Sequence, residues 1–152
     1  MAVDLEKFRD FVSGSDDEVE DAIDDPDMFY TFSAADFDAL VAALNELLPS
    51  STLSVVNVAP PGEWARPEFH CEGRTKSFST MICRADLLNC LIAIDDVLGL
   101  GFKVLLATDL LGEDEVAVTV LPTDFATELR VADKVRFDAR LTELLAAFDH
   151  FN

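Results

Sequence analysis

Between Asp10 and Glu63 the chain has no lysine and no arginine, although it carries thirteen carboxylates there. Other residues are scarce too, and each shortage excludes something. The three cysteines, Cys71, Cys83 and Cys90, are odd in number and show no CxxC spacing. Neither a disulfide framework nor a thiolate zinc site is therefore expected. The first ten residues are charged and lack the apolar core of a secretion signal. No apolar run approaches the roughly 18 residues needed to cross a bilayer. A cytoplasmic protein with free, buried thiols is the expectation. No GxGxxG, P-loop, GxSxG or HExxH motif occurs, so motifs supply no catalytic residue, cofactor or metal.

What is present in excess is acid. Thirty Asp and Glu face eleven Lys and Arg, for a net charge of −19. Half of the residues are nevertheless hydrophobic, twelve of them Phe. That is too apolar for a disordered acidic chain, so the chain folds and turns its carboxylates outward. The charge is uneven. Residues 1–65 hold 15 acids and 2 bases, net −13, whereas residues 66–152 hold 15 acids and 9 bases, net −6. Eight acids crowd into twelve residues: Asp16, Asp17, Glu18, Glu20, Asp21, Asp24, Asp25 and Asp27.

Such a run repels itself, nucleic acid and anionic membrane, and attracts basic proteins. It reads either as a solvated helix face or as a docking surface for a basic partner. Asp outnumbers Glu and Arg outnumbers Lys, which fits a salt-adapted surface as well. Against that stands a local basic neighbourhood of Arg66, Arg74, Lys76 and Arg84, expected to meet the chain's own acids or to balance a sheet face. A calcium loop is disfavoured, because no Gly lies between Asp16 and Asp27 and Pro26 interrupts the ligands.

The apolar spacing predicts ten elements in the order α-α-α-β-β-β-α-β-β-α. Val3–Val12 is helical, with Leu5, Phe8 and Val12 on one side. Ser15 caps a turn of helix through the acids, where Val19 and Ile23 sit four apart. Ser33 to Asp36 reads as a capping box. It opens a helix with Phe37, Leu40, Val41, Leu44, Leu47 and Leu48 on one stripe, stopped by Pro49. Leu53–Val58, Glu68–Glu72 and Thr75–Ile82 read as strands, with a turn at Gly73-Arg74. Ala85–Leu98 is a helix ended by Gly99. Phe102–Thr108 and Glu115–Leu121 form a hairpin. A last helix from Pro122 onward buries Val135, Leu141, Leu144, Leu145 and Phe148. The fold class is α+β: a single domain over 1–152, with an antiparallel sheet of about five strands, helices mainly on one face, and an acidic helical segment at about 1–48.

Few residues suggest chemistry. His70 and Cys71 are adjacent, but in a strand they point to opposite faces and cannot pair for nucleophilic catalysis. Cys83 and Cys90 lack further ligands for zinc. Asp95 with Asp96, and Asp109 with Glu113, are acid pairs read as a polar helix face and a polar turn. Trp64, the single Trp, lies in the Pro-rich stretch from Pro60 to Pro67. It is a candidate interface anchor or a cap on a sheet edge.

In size, charge and expected α+β architecture the chain resembles immunity proteins and antitoxins. That resemblance implies a non-enzymatic inhibitor with no cofactor, whose partner is a basic toxin. Partner-binding residues would be the eight acids and Trp64. The chain is similar in the same respects to chaperones of secreted effectors. Those imply a homodimer with apolar cargo grooves, seamed here by Ala85–Leu98. An enzyme of unrecognised type is the third reading.

Overall fold

A computed structural model describes residues 3–33, 36–50, 52–57, 66–78 and 85–150. Trp64, Cys83, Arg84 and the expected strand beyond Phe78 lie outside these described residues.

The chain begins with α1 (Leu5–Ser13), capped by Asp4, whose carboxylate accepts from the Lys7 N–H at 3.3 Å. Its buried side chains are Phe8, Phe11 and Val12. A 3₁₀ turn, Asp16–Glu18, leads into the short helix α2 (Val19–Ile23), whose Val19 and Ile23 are buried as their spacing predicts. The next segment brings Phe29 back to α1. Phe29 lies 5.2 Å from Phe8 and 5.4 Å from Phe11, and the two α1 rings are 6.0 Å apart. Each such ring pair adds about 0.5–1.5 kcal/mol beyond the area it buries. This cluster fixes both ends of the acidic run to one core.

After β1 (Tyr30–Phe32) comes α3 (Phe37–Leu47). Its cap is Asp36, which accepts from Ala39 N at 3.1 Å. The expected capping box at Ser33 therefore starts three residues early. Leu40, Val41, Leu44, Leu47 and Leu48 are buried, and Phe37 is half-buried against them. Then follow β2 (Leu53–Asn57), β3 (Pro67–Cys71), β4 (Arg74–Ser77), α4 (Ala85–Leu98), β5 (Phe102–Ala107), β6 (Val116–Pro122), α5 (Thr123–Ala132), α6 (Lys134–Arg140) and β7 (Leu141–Glu143).

The strands pair antiparallel throughout, in an α+β architecture, but they divide into two sheets. One has the order β1-β6-β5-β7, the other β2-β3-β4. The single sheet of about five strands is corrected to four plus three. The two additional strands, β1 and β7, are three residues each, too short to show an alternating pattern. The expected single last helix is corrected as well. Asp133 is extended (φ −158°) and splits it, and Leu141 (φ −129°) leaves it for β7. Val135 and Leu145 are exposed, while Leu141 and Leu144 are buried from the strand and the turn after it.

Residues Val116 to Leu121 of β6 are buried in both alternations, so the larger sheet is covered on both sides. Helices α3 and α4 contact both sheets, and one continuous apolar cluster joins them.

Local chemistry explains the joints. The β3–β4 hairpin turns at Glu72-Gly73, one residue before the position expected, with φ of 49° and 83°. Two left-handed residues are what a tight hairpin turn needs. Arg74 then caps α4: its Nε and one terminal nitrogen donate to the carbonyls of Val97 (2.6 Å) and Leu98 (3.0 Å). The Asn45 amide donates to Leu53 O and accepts from Leu53 N. It takes the part of a neighbouring strand and blunts the edge of β2. Cys71 and Cys90 are free and buried, and burial pushes the Cys90 thiol up to about 12.

The centre of β6 holds one flaw. Thr119 is fully buried, and its hydroxyl has no hydrogen-bond partner among the described residues. A buried unpaired hydroxyl costs about 1–3 kcal/mol. Thr119→Val keeps the shape and the β-branch and removes that cost. Its midpoint in urea is expected to rise at unchanged slope; a fall would mean that the hydroxyl has a partner.

Candidate functional site

The residues from Asp16 to Asp27 form an arch that leaves the end of α1 and returns under its start. The chain's own cations hold it at both feet. At the first foot, Arg140 of α6 reaches across to the end of α1. Its guanidinium donates to Phe11 O (3.3 Å), to Gly14 O (3.2 Å) and to the Asp16 carboxylate (2.7 Å). The Arg140 side chain is 9 % exposed, that of Asp16 93 %. The adjacent Arg136 donates to Ser13 O at 2.9 Å. Two arginines thus satisfy carbonyls that α1 leaves open at its C-terminus, where positive charge also meets the negative end of the helix.

At the other foot, Lys7 donates to Asp25 (2.9 Å) and Asp27 (3.1 Å). Asp25 also accepts from the Asp27 N–H, and its own carbonyl accepts from Met28 N and Phe29 N. The Lys7 hydrogen bond holds the Asp25 carboxyl below its ordinary value, and the Asp25 bond in turn raises Lys7. Asp4 N donates to Asp27 O, tying the arch to the cap of α1.

Between the feet stand Asp17, Glu18, Glu20, Asp21 and Asp24. All five are exposed, and among the described residues none has a side-chain hydrogen bond or ion pair. The structure thus separates the eight candidate acids. Asp16, Asp25 and Asp27 anchor, and the middle five are presented. The cations that hold the three anchors, Arg140 and Lys7, are not those of the basic neighbourhood expected from the sequence. Arg74 caps α4 and lies 3.7 Å from Glu72, and Lys76 lies 3.7 Å from Asp96. The anchoring cations Lys7 and Arg140 come from far away in the chain, which is why sequence reading missed them. Trp64 lies outside the described residues.

Gly14 is essential to the close approach. A Cβ there would lie 2.6 Å from Asp10 O and 2.8 Å from a carboxylate oxygen of Glu18. Glu18 therefore folds back over Gly14. Beside this foot is an open cleft of about 480 Å³ between residues 14–16 and α6.

The other candidate chemistry does not assemble. His70 faces outward, 2.8 Å from Glu68 and 3.1 Å from Thr75, on a solvated sheet surface, while Cys71 points into the core. Among the described residues no three His, Cys, Asp or Glu are grouped to hold a metal. No described helix is long and apolar enough to cross a membrane.

Asp95 and Asp96 part company. Asp96 is exposed, whereas Asp95 is half-buried and accepts from the Val104 N–H at 2.8 Å. That N–H lies just past the last β5–β7 pair, Leu105 with Glu143, so the carboxylate ends the ladder. Burial raises the Asp95 carboxyl, and the Val104 bond offsets this in part. A raised carboxyl favours the fold at low pH, and that contribution is lost as pH climbs through the folded value. Asp95→Asn keeps an acceptor without the charge. Its stability relative to the parent is expected to increase from acid to neutral pH. Asp95→Ala strands a buried N–H and is expected to lose about 1–3 kcal/mol. Urea titrations at two pH values check both; an Asn variant that weakens with rising pH overturns the account.

Compared with protein families, with characterised proteins and with solved structures, the chain matches none.

Proposed function

We propose that this chain is an acidic binding protein that occupies a basic surface on another protein, as an immunity protein occupies a toxin. The observation that supports this is the arch. Five exposed, unpartnered carboxylates sit on a segment anchored at both feet by Lys7 and by the nearly buried Arg140. A surface kept only for solubility has no need of a fixed shape. A rigid acidic surface loses little entropy on binding and steers a cationic partner during encounter.

The chaperone reading gains no such support. The helix proposed as a dimer seam, Ala85–Leu98, buries Leu87, Leu88, Leu91, Ile94, Val97 and Leu98 in this chain's own core.

The test is kinetic. The partner captured from the native host should associate at a rate that falls steeply as salt is raised from about 0.01 to 1 M, because the Debye length shrinks from about 30 to 3 Å. A rate independent of salt overturns the proposal.

A further inference from the structure

The cleft beside the arch has two unlike walls. Gly14, Ser15 and Asp16 form one. The other is α6, which turns Val135 and Ala139, one helical turn apart, toward the opening. Val135 is 81 % exposed although it stands beside buried Val12. The volume, about 480 Å³, lies in the range of about 300–1,000 Å³ typical of clefts that hold ligands.

The charges around it do not cancel evenly. Arg136 and Arg140 also line the cleft: the nearly buried Arg140 is turned to the carbonyls of Phe11 and Gly14, whereas Arg136 donates to Ser13 O, lies 3.7 Å from Asp133 and stays more than half exposed. The Asp16 side chain is almost wholly exposed despite its bond to Arg140, and the Glu18 carboxylate folds back over Gly14 on the same wall. The accessible groups are therefore Val135 and Ala139 with the half-paired Arg136 on the α6 wall, and on the other wall carboxylates in one run of chain with the rest of the arch.

Resting on the reading of the arch as a docking surface, we infer that the partner's contact segment is amphipathic. It seats an apolar side chain on Val135 and Ala139 and sends Lys or Arg side chains toward Asp16, Glu18 and the residues after them. Charge complementarity selects the basic side of the segment. The exposed valine selects the apolar one, since burying it against a non-polar side chain adds to affinity what water-exposed charges cannot.

Three synthetic peptides of equal length test this: Arg/Leu, Arg/Ser and Glu/Leu. Methyl-labelled protein is titrated with each and followed by NMR. The Arg/Leu peptide is expected to shift the methyls of Val12, Val135 and Ala139 and to bind at least about fivefold more tightly than Arg/Ser. Val135→Ser, a change at an exposed position, should erase that advantage and leave Arg/Ser binding unchanged. Equal binding of the two Arg peptides, with the Val135 methyls unmoved, overturns the inference but not the arch. Binding of Glu/Leu at the cleft also overturns it. Failure of both Arg peptides to bind overturns the arch reading as well.

Discussion

Arg140→Met is expected to be among the most damaging single changes outside the apolar core, at about 2–4 kcal/mol. The methionine roughly fills the space, so the loss is one of donors. The carbonyl of Phe11 loses the guanidinium that bonds it, that of Gly14 keeps only the longer bond from Arg136 at 3.5 Å, and the Asp16 carboxylate loses its partner. A buried acceptor left without a donor costs more than the bond itself contributed. Asp16→Asn should cost under about 1 kcal/mol, because that carboxylate is in water and exposed pairs contribute little. The contrast assigns the energy to the helix terminus, not to the ion pair. Arg140→Lys should not rescue the loss: one ammonium on a flexible stem cannot reproduce a fork that serves two carbonyls and a carboxylate. Thermal unfolding checks all three, at about 2–4 °C per kcal/mol for a chain of this size. Hydrogen exchange in Arg140→Met should rise first at Asp16–Val19. A variant within about 0.5 kcal/mol of the parent, with the arch still protected, would show that Arg140 does not anchor it.

The same residue marks what sequence could and could not reveal. The stripes of α3 and α4 were legible because a long helix repeats its apolar spacing several times, and each of their inward leucines is buried. The hairpin of β5 and β6 was legible because its apolar runs flank a polar turn. The end of the chain misled for the opposite reason. Val135, Leu141, Leu144 and Leu145 suit a helical stripe, but the break at Asp133 and the exit at Leu141 are decided by what α6 and β7 pack against. The acids of the arch could be counted from sequence. Their division into anchored and presented groups could not, since Arg140 is 124 residues from Asp16. Lys7 is nearer, yet 18 residues from Asp25. Pairing at that range is a property of the folded chain, and no local pattern announces it.

That division sharpens the decisive test of function. The variant Asp17→Asn, Glu18→Gln, Glu20→Gln, Asp21→Asn removes four presented charges and leaves Asp16, Asp25, Asp27 and their cations in place. Its stability should stay within about 1 kcal/mol of the parent. Relief of like-charge pairs three and four apart contributes about 0.2–0.5 kcal/mol each. Loss of Glu20 and Asp21 from the first turn of α2 opposes this by about 0.3–1 kcal/mol each. Association with the basic partner should respond far more strongly. Steering by a concentrated field raises on-rates by roughly 10–1,000-fold, so the variant should associate at least about tenfold more slowly at low salt. The two proteins should converge near 1 M salt, where the Debye length is about 3 Å. Dissociation should change less, because the presented acids stay hydrated at the edge of the contact. The two sets of variants therefore move opposite observables. Arg140→Met lowers stability with the five presented acids in place, and the charge variant slows encounter with stability kept. If instead the charge variant associates as fast as the parent at low salt, these four presented carboxylates serve solubility alone, and binding must be sought on another face.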